Sequence, residues 1–146
     1  MIVLLQRVSS AEVRVDGAVV GAIDRGILAF IAVTHGDTPA AAERLLERLL
    51  SYRVFADADG RMNLSTRDVG GGLLLVPQFT LAADTARGTR AGFSEAAPTD
   101  AARSLFSHLL EVAQHSYAPV SAGVFGATMQ VSLVNDGPVT FWLETP

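Results

Sequence analysis

The chain has 146 residues, 49% of them hydrophobic and 18% charged, with a formal net charge of −4 and no cysteine. That length fits one domain able to bury its own core, and the missing cysteines exclude a disulfide framework and a thiolate metal site. The negative balance argues against a general polyanion binder and leaves room for a local basic patch.

The elements follow in chain order. "IVLLQRV" (2–8) reads as a buried strand. "AEVRVDGAVVGAI" (11–23) alternates and turns at Asp16-Gly17, which predicts a hairpin. "GILAFIAV" (26–33) is a continuous apolar run and so a central strand. Thr38 then caps a helix with Pro39 at its first position. Ala42, Leu45, Leu46, Leu49 and Leu50 share one face of it. "FADADGRMNLS" (55–65) reads as a loop, and "LLLVPQFTL" (73–81) as a strand broken at Pro77. The polar stretch 82–98 is long for a loop, and long loops in small domains are often functional. A second helix follows Pro98, with Ala102, Leu105, Phe106, Leu109, Leu110 and Ala113 on one face. "TMQVSLVN" (128–135) and "PVTFWLE" (138–144) read as closing strands. Asn135-Asp136-Gly137 between them is a strong hairpin signal, yet Pro138 stands where the returning strand needs an N–H. The order predicts one compact α/β domain over 1–146, with mixed β-sheets and two main helices.

No apolar run approaches a membrane span, and no basic n-region precedes the first apolar stretch. A soluble, cytoplasmic protein without a membrane partner is expected.

Candidate chemistry is sparse. His35, His108 and His115 have no Gly-x-Ser-x-Gly elbow beside them, and a general base needs a positioned partner. "DADGRMN" resembles a calcium loop, but its glycine comes too early and no closing Glu is correctly spaced, so a turn is expected. The glycines of "GGGLLLV" (70–76) precede a strand, whereas phosphate-cradling loops follow one. Arg87 and Arg90, with Arg67, are phosphate candidates or members of a solvated surface. In "VPQFTL" (76–81) a proline breaks an apolar strand and polar Gln78 and Thr80 flank Phe79. Freed backbone N–H groups there suit an oxyanion hole; an edge strand ending in a bulge is the other reading.

Taken together, "VPQFTLAADT", "FSEAAP", "MNLS", "DVGG", "FGATMQVSLVNDGPVT" and "QRVSSAEVRVDG" resemble the D-aminoacyl-tRNA deacylases over nearly the whole chain. Two motifs carry most of that resemblance. Asn-x-Gly-Pro-Val-Thr is intact from Asn135 to Thr140; Ser-Gln-Phe-Thr-Leu is intact from Gln78 to Leu81, with Pro77 in place of its leading Ser.

The resemblance implies a homodimer, without cofactor or metal, that hydrolyses the ester between a D-amino acid and the 3′-terminal adenosine of tRNA and removes misattached glycine. It implies a cis Gly137–Pro138 bond whose carbonyls reach into the partner's pocket and exclude L-aminoacyl groups. Gln78, Phe79 and Thr80 become the catalytic segment: backbone N–H groups near Phe79 and Thr80 hold the oxyanion, and Gln78 organises the adenosine pocket. The substrate's own 2′-hydroxyl helps to activate water, and Thr80 takes a positioning role. Arg7 ties the Gly-Pro loop in place; Phe125 and Met129 shape the pocket wall. A surface ion pair for Arg7 and plain core for Phe125 and Met129 are the other readings.

The chain departs from the pattern at Pro77, which removes a hydroxyl and an N–H. A related branch also carries Pro before Gln but has a small residue where Phe79 stands, and it tolerates L-alanine better. The loop "TARGTRAGF" (85–93) lacks a lysine and a proline usual there. Two rivals stay open: a non-catalytic homodimeric RNA-binding domain, and a hydrolase for free D-amino-acid esters or peptides.

Overall fold

A computed structural model describes residues 1–145. Its axis is one long strand, β1 (Ile2–Val15). It turns at Asp16 and Gly17, both at positive φ, into antiparallel β2 (Ala18–Ile23), the primed turn that an Asp-Gly pair favours. The first half of β1 pairs antiparallel with β3 (Gly26–Ala32). β3 runs parallel to β6 (Gly72–Pro77), and β6 runs parallel to β7 (Val120–Ala122). The sheet order is β2-β1-β3-β6-β7, with β8 (Gln130–Glu144) also on β1.

Parallel neighbours need crossovers, and two helices supply them. α1 (Pro39–Ser51) opens with Ala41 N–H donating to Thr38 Oγ1 at 3.2 Å, and buries Leu45, Leu46, Leu49 and Leu50. α3 (Thr99–Ser116) buries Ala102, Phe106, Leu109 and Ala113. Both helices cover one face of the sheet, over Val3, Leu5, Ile27, Ala29, Ile31, Leu73 and Leu75. The opposite face has its own core of Val8, Ala11, Val13, Ile23, Leu28, Leu74 and Val76. β3 and β6 are therefore covered on both sides, which is why their sequences are apolar without alternation.

Three expectations are corrected. The stretch 55–65 is not all loop: β4 (Arg53–Ala56) and β5 (Met62–Ser65) form a separate two-stranded sheet. Each has four residues, and Met62 and Asn63 are exposed, so no apolar alternation marks them. The turn between them is organised by Asp57, whose carboxylate accepts from Asp59 N–H, Arg61 N–H and Asn63 Nδ2. Second, β6 does end at Pro77 as expected, but the segment beyond the break is no resumed strand: Phe79–Ala82 is a 3-10 turn. Third, Asn135-Asp136-Gly137 is no hairpin: β8 continues through it as one strand, antiparallel to β1 at both ends.

A short helix, α2 (Thr66–Val69), follows β5 with a capping box between Ser65 and Asp68, and Gly70 closes it in the left-handed region. The hydrogen bonds from Ser65 hold the Asp68 carboxyl below the usual aspartate range. α2 is anchored from the end of α3: Tyr117 Oη donates to the carbonyls of Thr66 at 3.1 Å and Gly71 at 2.5 Å. Burial pushes the Tyr117 hydroxyl above its ordinary value of 10.0. The folded state thus holds this proton more tightly than the unfolded one, so its stabilising share is complete below pH 10 and fades as pH rises through the folded value. Tyr117→Phe is expected to cost about 1–3 kcal/mol near neutrality. Its urea midpoint should also decline less than the wild type's above pH 10.

Candidate active site

The carboxyl end of a parallel strand beside a crossover is a common place for a ligand crevice. Here β6 ends against a cavity of about 420 Å³. Val76 to Phe79 form one side, Ala96, Ala97 and the first turns of α3 another, and Phe125 to Ala127, Met129 and Val131 the rest. The volume lies within the range of small-ligand pockets. Among the described residues no charged side chain lines it.

Pro77 is the last residue of β6 and faces Ile31 on β3. Gln78 N–H takes over the ladder bond, donating to Ile31 C=O at 2.7 Å. The backbone then tightens into the 3-10 turn, whose bond to Gln78 C=O comes from Leu81 N–H at 3.3 Å. The N–H groups of Phe79 and Thr80 precede that bond and are unused by the turn. Gln78 Nε2 donates to Thr80 Oγ1, which fixes the two side chains together. Phe79 is 60% exposed and leans on Phe93, with ring centroids 5.1 Å apart and planes tilted 48°.

The opposite wall is set by close packing. A Cβ on Gly123 would lie 2.7 Å from Met129 Sδ and 3.5 Å from Pro77 Cδ, so a larger residue there would have to push the Met129 side chain aside. Val124 N–H donates to the Met129 sulfur at 3.4 Å. Phe125 packs on Phe106 of α3 at 6.2 Å.

Arg7, Gly137 and Pro138 form a second group. Val8 pairs with Asn135 and Gln6 with Thr140, so residues 136–139 stand opposite Arg7 alone. The surplus backbone leaves the ladder as an excursion. Gly137 has φ 129°, where an L side chain is strained, and the Gly137–Pro138 bond is cis. Asn135 Nδ2 closes the neck, donating to Arg7 C=O at 2.9 Å and Val139 C=O at 3.1 Å. Arg7 braces the excursion from below: Nε donates to Asp136 C=O at 3.0 Å and Nη1 to Val54 C=O at 2.7 Å. Both Gly137 and Pro138 are exposed.

The two groups do not meet within the chain. Gln78, Phe79, Phe125 and Met129 line the cavity, with Thr80 held to Gln78; Arg7, Gly137 and Pro138 do not line it. Arg7 faces Ile27 on β3, while Pro77 faces Ile31. At strand rise that offset alone is about 13 Å.

The remaining candidates lie elsewhere. His108 pairs with Glu43 at 3.0 Å across the two long helices, and His115 Nδ1 lies 2.8 Å from Glu111 C=O. Among the described residues no histidine lines the cavity. Arg67 is engaged by Glu47 through two bonds of 3.1 Å, which correct it as a phosphate candidate and hold the Glu47 carboxyl below its usual range. Arg87 and Arg90 are exposed on a loop pinned at its base by the Asp84–Gly92 bridge. Among the described residues no group of three His, Asp or Glu could hold a metal ion, and no helix is long and apolar enough to cross a membrane.

Two residues were not singled out from the sequence. Asn135 was visible in the motif, but its side-chain role needs the register of β8 on β1. Phe93 is marked only by being an aromatic in a polar loop.

Comparison with known proteins is consistent across sequence and structure. The family model described as D-Tyr-tRNA(Tyr) deacylase matches residues 4–144. A protein of Thioalkalivibrio sulfidiphilus named D-aminoacyl-tRNA deacylase is 66% identical over 146 residues, covering 100% of this chain and 98% of that one. A protein of the same name from Pseudomonas savastanoi pv. phaseolicola is 61% identical over 142 residues, covering 97% and 98%. A solved structure named c-Myc DNA Unwinding Element Binding Protein superposes with a TM-score of 0.94 at 38% identity, covering 100% of this chain and 99% of that one. A second, described as a probable eukaryotic D-amino acid tRNA deacylase, has a TM-score of 0.83 at 17% identity over 97% of each chain and shares the fold.

Proposed function

We propose a reaction for this chain, which belongs to the D-Tyr-tRNA(Tyr) deacylase family: hydrolysis of the ester that joins a D-amino acid to the 3′-terminal adenosine of tRNA. Water attacks the ester carbonyl carbon, the bond to the ribose oxygen breaks, and that oxygen leaves protonated as a hydroxyl. Free D-amino acid and uncharged tRNA are the products, and glycyl-tRNA is cleaved by the same route. An aminoacyl ester is already activated, so positioning and charge stabilisation carry most of the work. The N–H groups of Phe79 and Thr80 stabilise the oxyanion. Gln78 orders the adenosine pocket between Phe125 and Met129. The ribose 2′-hydroxyl assists the water, which agrees with a cavity lined by no charged side chain.

Stereochemistry is assigned to a second copy of the chain. The excursion at 136–139 is braced by Arg7 and Asn135, exposed, and remote from its own cavity. That observation carries the reading: a braced backbone projection with nothing to do in its own chain fits the cavity of a partner. Phe79, Val134 and Trp142 are exposed at 60%, 56% and 49%, large apolar side chains that a homodimer could bury. Placed over the α-carbon, the Gly137–Pro138 backbone leaves room for a D side chain and drives an L side chain into main-chain atoms. The wrong substrate is refused by a clash.

The test is hydrolysis of D-tyrosyl-tRNA and L-tyrosyl-tRNA by the purified protein. Turnover of the D ester alone is expected; turnover of neither removes the reading. Pro77 favours one alternative, a homodimeric RNA-binding domain without catalysis, because it takes a hydroxyl and an N–H from the rim of the cavity. That alternative gives tRNA binding with no turnover.

Thr80 is a positioning residue here. Thr80→Val is expected to lower kcat about tenfold, with no acyl-enzyme trapped on quenching. Abolished turnover in Thr80→Val, restored in Thr80→Ser, indicates a nucleophilic hydroxyl instead.

A further inference from the structure

Arg103 stands on α3 one residue after Ala102, which lines the cavity. Its guanidinium lies over the Phe125 ring, 4.8 Å from the centroid. A cation over a ring face is held by the ring's quadrupole while its N–H groups stay available. The adjoining backbone leaves room for it: Gly126 has φ +80°, and a Cβ there would lie 3.3 Å from Arg103 Nη2. Among the described residues Arg103 has no hydrogen bond or ion pair; the ring is its partner. It is exposed and does not itself line the cavity. A cation is thus parked against two residues of an uncharged cavity, with its donors free.

We infer that Arg103 binds a backbone phosphate of the tRNA 3′ end, the one that precedes the terminal adenosine. This rests on the deacylase reading, because it requires a nucleoside in the cavity. Such a nucleoside is tethered by its 5′ phosphate to the rest of the strand. That phosphate has to leave an uncharged cavity, and a guanidinium on the wall's outer side meets it with paired N–H donors. Arg103 is a substrate-binding residue that senses the polynucleotide and takes no part in ester chemistry.

The experiment compares D-tyrosyl-tRNA with 3′-O-D-tyrosyl-adenosine, which has the ester and the nucleoside but no phosphate. Wild type, Arg103→Ala and Arg103→Lys are assayed on both across a salt series. Arg103→Ala is expected to raise KM for the tRNA about tenfold at low salt, with kcat within about twofold. Its plot of log kcat/KM against log salt should be flatter by about 0.7, the share of one single-strand phosphate. The adenosine ester should be cleaved equally by wild type and Arg103→Ala, and Arg103→Lys should recover most of the tRNA affinity. Equal losses on both substrates overturn the inference, since Arg103 then only props Phe125. Unchanged KM and salt slope with tRNA also overturn it, while leaving the deacylase reading intact. A wild type that cleaves neither substrate removes both.

Discussion

Asn135→Ala is expected to lower kcat/KM for D-tyrosyl-tRNA about a hundredfold while leaving a folded protein. Its Nδ2 is the donor that joins the two sides of the excursion, at Arg7 C=O and Val139 C=O. Its Oδ1 accepts from Thr140 Oγ1 at 3.2 Å, and that hydroxyl accepts from Gln6 Nε2 at 3.2 Å. Removing the amide frees two backbone carbonyls and lets the neck widen. The two bonds are only part-buried, so the stability cost is about 1–2 kcal/mol. Activity suffers more, because a displacement of about 1 Å at a positioned group costs roughly a hundredfold in rate. Selectivity should fall as well: the ratio of D- to L-tyrosyl-tRNA hydrolysis measures how well the backbone is held. A variant with wild-type rate and wild-type ratio contradicts the role given to the excursion.

Gly26→Ala is expected to have the largest effect on stability, about 3 kcal/mol or more, roughly 10 °C in Tm for a chain of this size. Gly26 faces Gly72 where parallel β3 and β6 begin their pairing. A Cβ on Gly26 would sit 2.0 Å from Gly72 O and 2.5 Å from Gly72 N. Both are backbone atoms, so no rotamer relieves the clash and the strands must separate. The start of the strand that carries Pro77 would shift, and activity should fall with stability. Gly17→Ala is the control: nothing lies within 4 Å of its Cβ, and its φ of +78° alone sets the cost. That cost should be about 1 kcal/mol. Urea denaturation of the two variants beside wild type decides the comparison.

The sequence was most legible where a local signal and the tertiary environment agree. Thr38, Pro39 and the leucine stripe announced α1, and the run 26–33 announced a strand buried on both faces. It misled where a local signal was outvoted at long range. Asn135-Asp136-Gly137 has hairpin chemistry, but β1 is a 14-residue strand that offers β8 a partner before and after it. The turn residues therefore serve an excursion in one strand, with Pro138 at a point where no ladder N–H is needed. β4 and β5 escaped notice because their pairing is short and Met62 is 46% exposed, so alternation never developed. The motifs named the members of both groups, Gln78 to Thr80 and Gly137 to Pro138. Only the register of the sheet separates them within one chain, and only the fold brings Arg7, Asn135 and Val139 to one neck.

The central claim is that each active site takes its cavity from one chain and its stereochemical barrier from the other. Complementation in a mixed dimer tests it most directly. One chain carries Ala96→Trp, which fills the cavity it lines and leaves the excursion intact. The other carries Asn135→Ala, which loosens the excursion and leaves the cavity intact. Co-expressed under different tags and purified as the heterodimer, they form one site with both defects and one with neither. D-tyrosyl-tRNA hydrolysis at about half the wild-type rate per dimer is expected, far above either mutant homodimer. A heterodimer that forms but is no more active than the two homodimers contradicts the account.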